Sequence, residues 1–294
     1  MKKRVAIYIL IVLCIFILSS CDQKIENKDD PTPQPTETAT AGPTVEPTEE
    51  PTPKPTKEPL PEGERGKPSE KSEVAYENDF IEEDLDGTLL VTTNIYSFKD
   101  GKLILNSEDG GRTWDGWNSL TPDIDCNTFD THQWEFHIEF ESRFPEDVTS
   151  PWIATIIGAR VSDYVSSIAN TDDGIWVAFT ENNQITVFPS GARTKEYWPD
   201  GAVTVDIPEG FGEMRKLVIV DTGDSLYYYM NTAEEENVLI LKIDINESEI
   251  KVFDANGEEL CKAENFLDMD LGNHFKVFSH FAYTFIDSIA VKAY

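Results

Sequence analysis

Basic residues are scarce in this chain: 24 Lys and Arg stand against 55 Asp and Glu, for a formal net charge of −31. A protein so acidic repels nucleic acid and anionic lipid headgroups, which sets both aside as partners. Cysteine is nearly absent, four in 294 residues, and neither the cysteines nor the four histidines have the spacing of a metal site. No stretch sustains a 3.6-residue apolar period, which argues against a helical architecture; only Ala263–Leu271 reads as one short helix. Aromatic residues are missing from Asp22 to Ser72, and with them any means of building a core there. No apolar run reaches the ~20 residues of a comfortable membrane span.

The N-terminus is organised differently. Met1-Lys2-Lys3-Arg4 is a short basic region, Val5 to Leu18 is almost unbroken apolar sequence, and Ser19 and Ser20 precede Cys21. These are the parts of a secretory signal. Leu18-Ser19-Ser20-Cys21 resembles the bacterial lipobox, which implies cleavage after residue 20 and a lipid on Cys21 of the mature chain. An uncleaved anchor helix, or plain secretion with an incidental cysteine, fits less well with the tether that follows. Loss of three basic residues and no acid takes the formal charge from −31 to −34. Cys126 and Cys261 then remain, free to form a disulfide in an oxidising compartment or to stay as two thiols.

Residues 21–73 form the lipidated cysteine and a linker. Eleven of the 17 prolines lie here, in repeats such as Glu46-Pro47-Thr48-Glu49-Glu50-Pro51-Thr52-Pro53. Proline at every second or third position favours extended polyproline II at ~3.1 Å per residue, so such a stalk reaches on the order of 100 Å or more. Pro/Thr-rich stalks of this kind resemble those of Gram-positive clostridial surface proteins. The expected location is therefore the outer face of the bacterial cytoplasmic membrane, with the membrane a partner through the lipid on Cys21 and the remainder extracellular.

From residue 74 to 294 the composition changes: all six tryptophans lie here. Short β-rich runs are expected at 89–96, 102–106, 133–144, 152–159, 175–180, 184–188, 202–207, 215–221, 226–231, 238–245, 249–254, 276–279 and 284–294. Turn sequences separate them, among them Lys99-Asp100-Gly101, Glu181-Asn182-Asn183, Thr222-Gly223-Asp224 and Ala255-Asn256-Gly257. About a dozen strands without helical crossovers mean an all-β antiparallel sandwich or barrel.

The order Ser97-Phe98-Lys99-Asp100-Gly101-Lys102-Leu103, then Trp134 to Phe144, then Asp173 to Phe179, then Ile286-Asp287-Ser288-Ile289-Ala290-Val291-Lys292 resembles the concanavalin A-like, laminin G-type jelly roll. The resemblance implies a jelly-roll β-sandwich, and that fold hosts lectins, carbohydrate-binding modules, adhesion domains and glycosidases alike.

Three groups of residues are candidates for chemistry. Ser107 to Trp114 resembles the Asp-box, S-x-D-x-G-x-T-W; without a second copy it reads as a structural hairpin rather than a sialidase blade. On the 134–144 strand, alternation puts Glu135, His137, Glu139, Glu141 and Arg143 on one face. Glu139, Glu141 and His137 are the catalytic candidates of a glycosidase reading, because retaining hydrolysis needs two carboxyls ~5 Å apart. The laminarinase-type E-x-D-x-x-E pattern is absent, however, and a solvated strand face explains the row as well. Trp114, Trp117, Tyr197 and Trp198 are the ligand-binding candidates, as aromatic rings near loops stack on sugars, although they serve equally well as plugs of the sandwich ends. No metal ligand set is assigned and no cofactor is required; calcium is the one ion that acidic loop residues such as Asp172, Asp173, Asp221 and Asp224 admit. The sequence thus points to a cell-surface lipoprotein whose sandwich binds glycan or another cell-envelope ligand, with a glycoside hydrolase or lyase and a non-catalytic adhesion domain as alternatives.

Overall fold

The computed structural model describes residues 60–61, 63–91, 96–106, 117–124, 126, 131–145, 154–162, 173–180, 183–190, 203–207, 213–246, 249–264 and 271–294. Every regular element among them is a β-strand. In chain order these are β1 (Glu73–Asn78), β2 (Thr88–Val91), β3 (Tyr96–Lys99), β4 (Lys102–Leu105), β5 (Trp117–Pro122), β6 (Trp134–Arg143), β7 (Ala154–Val161), β8 (Gly174–Thr180) and β9 (Gln184–Ser190). They continue with β10 (Val203–Asp206), β11 (Met214–Asp221), β12 (Ser225–Met230), β13 (Val238–Ile245), β14 (Glu249–Asp254), β15 (Glu259–Glu264), β16 (His274–His280) and β17 (Tyr283–Ala293).

The strands form two antiparallel sheets. The larger runs β15-β14-β13-β12-β11-β6-β17-β4-β3, with β1 also paired to β17, and the smaller runs β10-β9-β8-β7-β16-β5-β2. The chain alternates between sheets along β4, β5, β6 and β7, and the closing pair slots back in: β16 between β5 and β7, β17 between β4 and β6. That winding is a jelly roll. The tight β3–β4 hairpin turns on Asp100 and Gly101, at φ 56° and 75°, the positive-φ pair such a turn requires.

Alternation along the strands builds the core. Phe136, Ile138 and Phe140 of β6 point inward with Leu217 and Ile219 of β11 and Ile286, Ile289 and Val291 of β17. Against them lie Ile157 of β7, Ile175, Val177 and Phe179 of β8, and Phe275 and Val277 of β16. Two ring pairs join the sheets: Phe136 stacks on Phe275 at 4.9 Å and Phe140 meets Phe179 edge-on at 5.1 Å. Each such buried side chain contributes roughly 1.5–3 kcal/mol.

Three strands lie wholly outside the expected set, β1, β5 and β15, and β3 shares only Tyr96 with it. The run expected at 89–96 is divided between β2 and β3. Ala263 and Glu264, expected to open a short helix, close strand β15 instead, because pairing with Ile250 and Glu249 of β14 overrides their local helix preference. Cys126 is buried and Cys261 half-buried, and no disulfide joins them. The signal peptide, Cys21, the Pro-rich linker to residue 59 and the Asp-box at 107–114 lie outside the described residues.

Candidate functional site

The polar face of β6 is directed away from the core, as its alternation requires. Glu135 is nonetheless fully buried. Its Oε1 accepts hydrogen bonds from Ser69 N (2.9 Å), Ser72 Oγ (2.6 Å) and Gln133 Nε2 (3.2 Å), and its Oε2 lies 3.0 Å from His137 Nε2. Burial alone would raise the carboxyl pKa. The hydrogen bonds from His137, Ser72 and the Ser69 backbone outweigh it and hold Glu135 below its ordinary value. An ionised Glu135 has no proton to give, so Nε2 of His137 is the donor.

Two rungs further, Arg143 makes a two-pronged bond to Glu141, Nε–Oε1 at 2.6 Å and Nη2–Oε2 at 3.3 Å, and lies 4.2 Å from the Phe285 ring centroid. Glu139 sits between Lys216 of β11 and Ser288 of β17 in the ladder. Of the three proposed catalytic residues, His137 is therefore bonded to Glu135 and Glu141 to Arg143. Two of the three carboxylates in the row are thus bonded within it, which eases the repulsion of like charges on one strand face.

Residues 63–72, which composition assigns to the linker, lie on this same outer face. Arg65 donates to the Thr222 carbonyl (2.9 Å) and pairs with Asp224 (3.0 Å); Gly66 N donates to Gln133 Oε1 (3.1 Å); Gln133 Nε2 donates to the Lys67 carbonyl (2.8 Å). Tyr229 OH donates to the Gly66 carbonyl at 2.8 Å, and burial pushes that phenol up to about 12. Val218, Val220 and Tyr229 form a small apolar cluster on this side of the sheet, with Tyr227 and Leu239 against it. A Cβ on Gly66 would lie 2.5 Å from the Tyr227 ring, so only glycine can make that approach.

The outer face of the smaller sheet is apolar at its centre. Trp176, Phe278, Ala154, Ile156, Ala178 and Val161 form one buried cluster. The Trp176 indole lies flat over Gly158, where a Cβ would come within 2.3 Å of the ring. Lys276, paired with Gly158 across the ladder, is fully buried with its Nζ 5.0 Å from the Phe278 ring centroid. Trp176 Nε1 and Thr121 Oγ1 find no hydrogen-bond partner among the described residues. Of the sequence-expected aromatic candidates, Trp117 opens β5 with its backbone paired to His280. Trp114, Tyr197 and Trp198 lie outside the described residues.

A cleft of about 320 Å³ opens at one end of the sandwich. Its apolar floor is Cys126, Trp134 and Phe275; its rim is Thr131, His132 and Gln133, the Asp221–Gly223 turn, Arg160, Gly272 and Asn273. Arg160 Nε and Nη2 bond the two oxygens of Asp221 at 2.9 and 2.5 Å, joining the sheets across the mouth. The Thr131 hydroxyl bonds the carbonyls of Gln133 (2.8 Å) and Tyr294, while Gly223 N donates to Asp221 Oδ1 at 2.8 Å. The rim is thus held in place before any ligand arrives. Arg160 retains further N–H donors, and the His132 ring and Asn273 amide add both donors and acceptors.

Of the acidic residues considered for calcium, Asp221 is held by Arg160, Asp224 pairs with Arg65 at the surface, and Asp173 bonds Ser162 through its backbone. No group of three or more His, Cys, Asp or Glu able to hold a metal occurs among the described residues. Asp172 lies outside them. The described residues do not assemble a calcium site. Sequence reasoning missed Arg160, Trp134, Phe275 and Asn273 as site residues. The one usable signal, an arginine and an aspartate at strand ends, acquires meaning only from the strand order.

No protein-family model matches the chain, and no curated protein matches it in sequence. Among solved structures it is similar to the VIP36 exoplasmic/lumenal domain in its Ca2+/Man3GlcNAc-bound form, with 12% identity over 76% of this chain and 90% of that one and a TM-score of 0.48. It is also similar to the carbohydrate-binding module CBM66 from Bacillus subtilis (12% identity, 70% and 96% covered, TM-score 0.38). A third is arcelin-5, a lectin-like defense protein from Phaseolus vulgaris (10% identity, 71% and 92% covered, TM-score 0.42).

Proposed function

We propose that the chain is a lipoprotein, anchored through Cys21 to the outer face of a bacterial membrane, whose sandwich binds a neutral glycan in the end cleft. The observation that carries this reading is the composition of the cleft: an aromatic and apolar floor under a rim of fixed, mostly uncharged hydrogen-bonding groups. Sugars present the complementary surface, with apolar C–H faces and hydroxyls that both donate and accept. The ion pair between Arg160 and Asp221 leaves no net charge on the rim, and a chain of formal charge −31 repels acidic polysaccharides at range.

Binding is favoured over hydrolysis by what occupies the carboxylates. A retaining glycosidase needs one carboxyl to carry a proton and another free to attack. On the β6 face Glu141 is held by Arg143 and Glu135 is kept ionised by its donors, which leaves Glu139 without a second carboxyl to share the chemistry. The test is a glycan array probed with the purified protein, followed by incubation with each hit and analysis for cleaved products. Retention of neutral glycans without cleavage supports the proposal. Cleavage favours the hydrolase, and no retention at all favours a non-catalytic adhesion domain.

A further inference from the structure

We infer that residues 63–72 are a strap that braces one wall of the cleft from the outer face of the sheet, so that docking of the strap and occupation of the cleft reinforce each other. The part concerning the ligand rests on the binding reading above; the part concerning the wall does not.

The strap's hydrogen bonds converge on cleft residues. Gln133 is 1% exposed, and its amide is engaged by the strap at both ends: Oε1 accepts from Gly66 N, and Nε2 donates to the Lys67 carbonyl. The Thr222-Gly223 turn, which continues β11 beside Gln133 on the same wall, is held from the strap by Arg65 through the Thr222 carbonyl and through Asp224. Both strand ends of this wall are therefore fastened to the same few strap residues. Below them Glu135 anchors the strap through Ser69 and Ser72.

Removing the strap has defined consequences. Gln133 would lose two partners and Glu135 two of its donors, while Tyr229 would lose its acceptor. Buried polar groups do not remain unpaired, so Gln133 and the 222–224 turn would shift to find water or each other. The strap has no strand of its own and is held by side chains and single amides. It can therefore open locally while the sandwich stays folded. A ligand that needs the assembled rim stabilises the docked strap, and by reciprocity the docked strap strengthens ligand binding by the same factor.

The experiment compares the purified full chain with Gly66→Val by hydrogen exchange. A side chain at residue 66 collides with the Tyr227 ring and at φ +82° is strained. The expected result is rapid exchange through 63–72, about tenfold faster exchange at 131–135 and 221–225, and unchanged protection in β13. Opening of 63–72 with no change at 131–135 and 221–225 would overturn the proposal. If Gly66→Val loses protection throughout, Arg65→Ala combined with Ser72→Ala, which only removes side-chain atoms, decides the matter by the same peptides. In a second arm, a glycan retained by the wild-type chain is titrated against Gly66→Val. About tenfold weaker binding supports the coupling, and equal affinity with an open strap overturns it. A wild-type chain that retains no glycan contradicts the binding function, while the exchange result still decides whether the strap braces the wall.

Discussion

Arg160 at the end of β7 and Asp221 at the end of β11 are joined by two hydrogen bonds, 2.9 and 2.5 Å, that tie the smaller sheet to the larger at the mouth of the cleft. The pair is mostly buried, with side-chain exposures of 19% and 13%. Arg160 reaches this geometry from a left-handed backbone, φ 55°, and its carbonyl accepts from Gly272 N at 3.0 Å. One ion pair thus fixes three segments of the rim.

Breaking that pair from one side strands a buried charge, which costs about 3 kcal/mol or more. Arg160→Met is expected to lower unfolding stability by roughly that amount in a denaturant melt. The double variant Arg160→Met with Asp221→Leu should recover most of it, because removing both charges removes the penalty. A double variant no more stable than the single one would mean that the pair does not behave as a unit.

Acid should release the strap before it melts the sandwich. The folded pKa of Glu135 lies below its ordinary value of 4.5. Its contribution is therefore fully present above the unfolded pKa and is lost as pH falls through the depressed folded value. Tryptic cleavage after Arg65 and Lys71 in samples pulsed at low pH and returned to neutral measures the opening, provided reclosure is slow. Hydrogen exchange at Ser69 in the acid measures it directly. Glu135→Gln should show the open strap already at neutral pH, and a strap equally protected in that variant would refute the assignment.

Gly158 has no room for a methyl group, as the Trp176 ring occupies the Cβ position. Gly158→Ala should cost about 1–3 kcal/mol by overpacking and shift the tryptophan emission as the indole is displaced. Gly223→Ala, where nothing lies within 4 Å of the added carbon but φ is +91°, should cost less, about 1 kcal/mol, from backbone strain alone.

If the β6 face is structural, Glu139→Gln should leave glycan retention unchanged and create no loss of turnover. Glu141→Gln should do the same while freeing Arg143. Product analysis after long incubation of wild type and both variants with a retained glycan settles this: turnover in the wild type that disappears in either variant would restore the catalytic role.

The sandwich was readable because its signals are local. The alternation Phe136-His137-Ile138-Glu139-Phe140 specifies a two-faced strand, and Asp100-Gly101 specifies a hairpin. The strands that were missed lack such signals: β5 is Trp-Asn-Ser-Leu-Thr-Pro and β15 alternates weakly between charged residues. Pairing with β16 and β14 makes them strands. The cleft was illegible for a different reason. Arg160 and Asp221 stand 61 positions apart, and only the strand order brings them together. The strap hid behind its composition, because it docks chiefly through Gly66, backbone amides and small hydroxyls, which read as linker. Its partner Glu135 was visible as part of an acidic row, but nothing local marks it as the buried member.

The central claim, that the end cleft holds a neutral glycan, is tested most directly by array binding of the wild-type chain beside His132→Ala with Asn273→Ala. These two rim side chains belong to neither the strap nor the ion pair. The prediction is retention of neutral glycans by the wild type and at least about tenfold weaker retention by the double variant, from the loss of hydrogen bonds worth about 1 kcal/mol each, with the β-sheet circular dichroism spectrum retained. Equal retention by both proteins would place the ligand elsewhere and contradict the account.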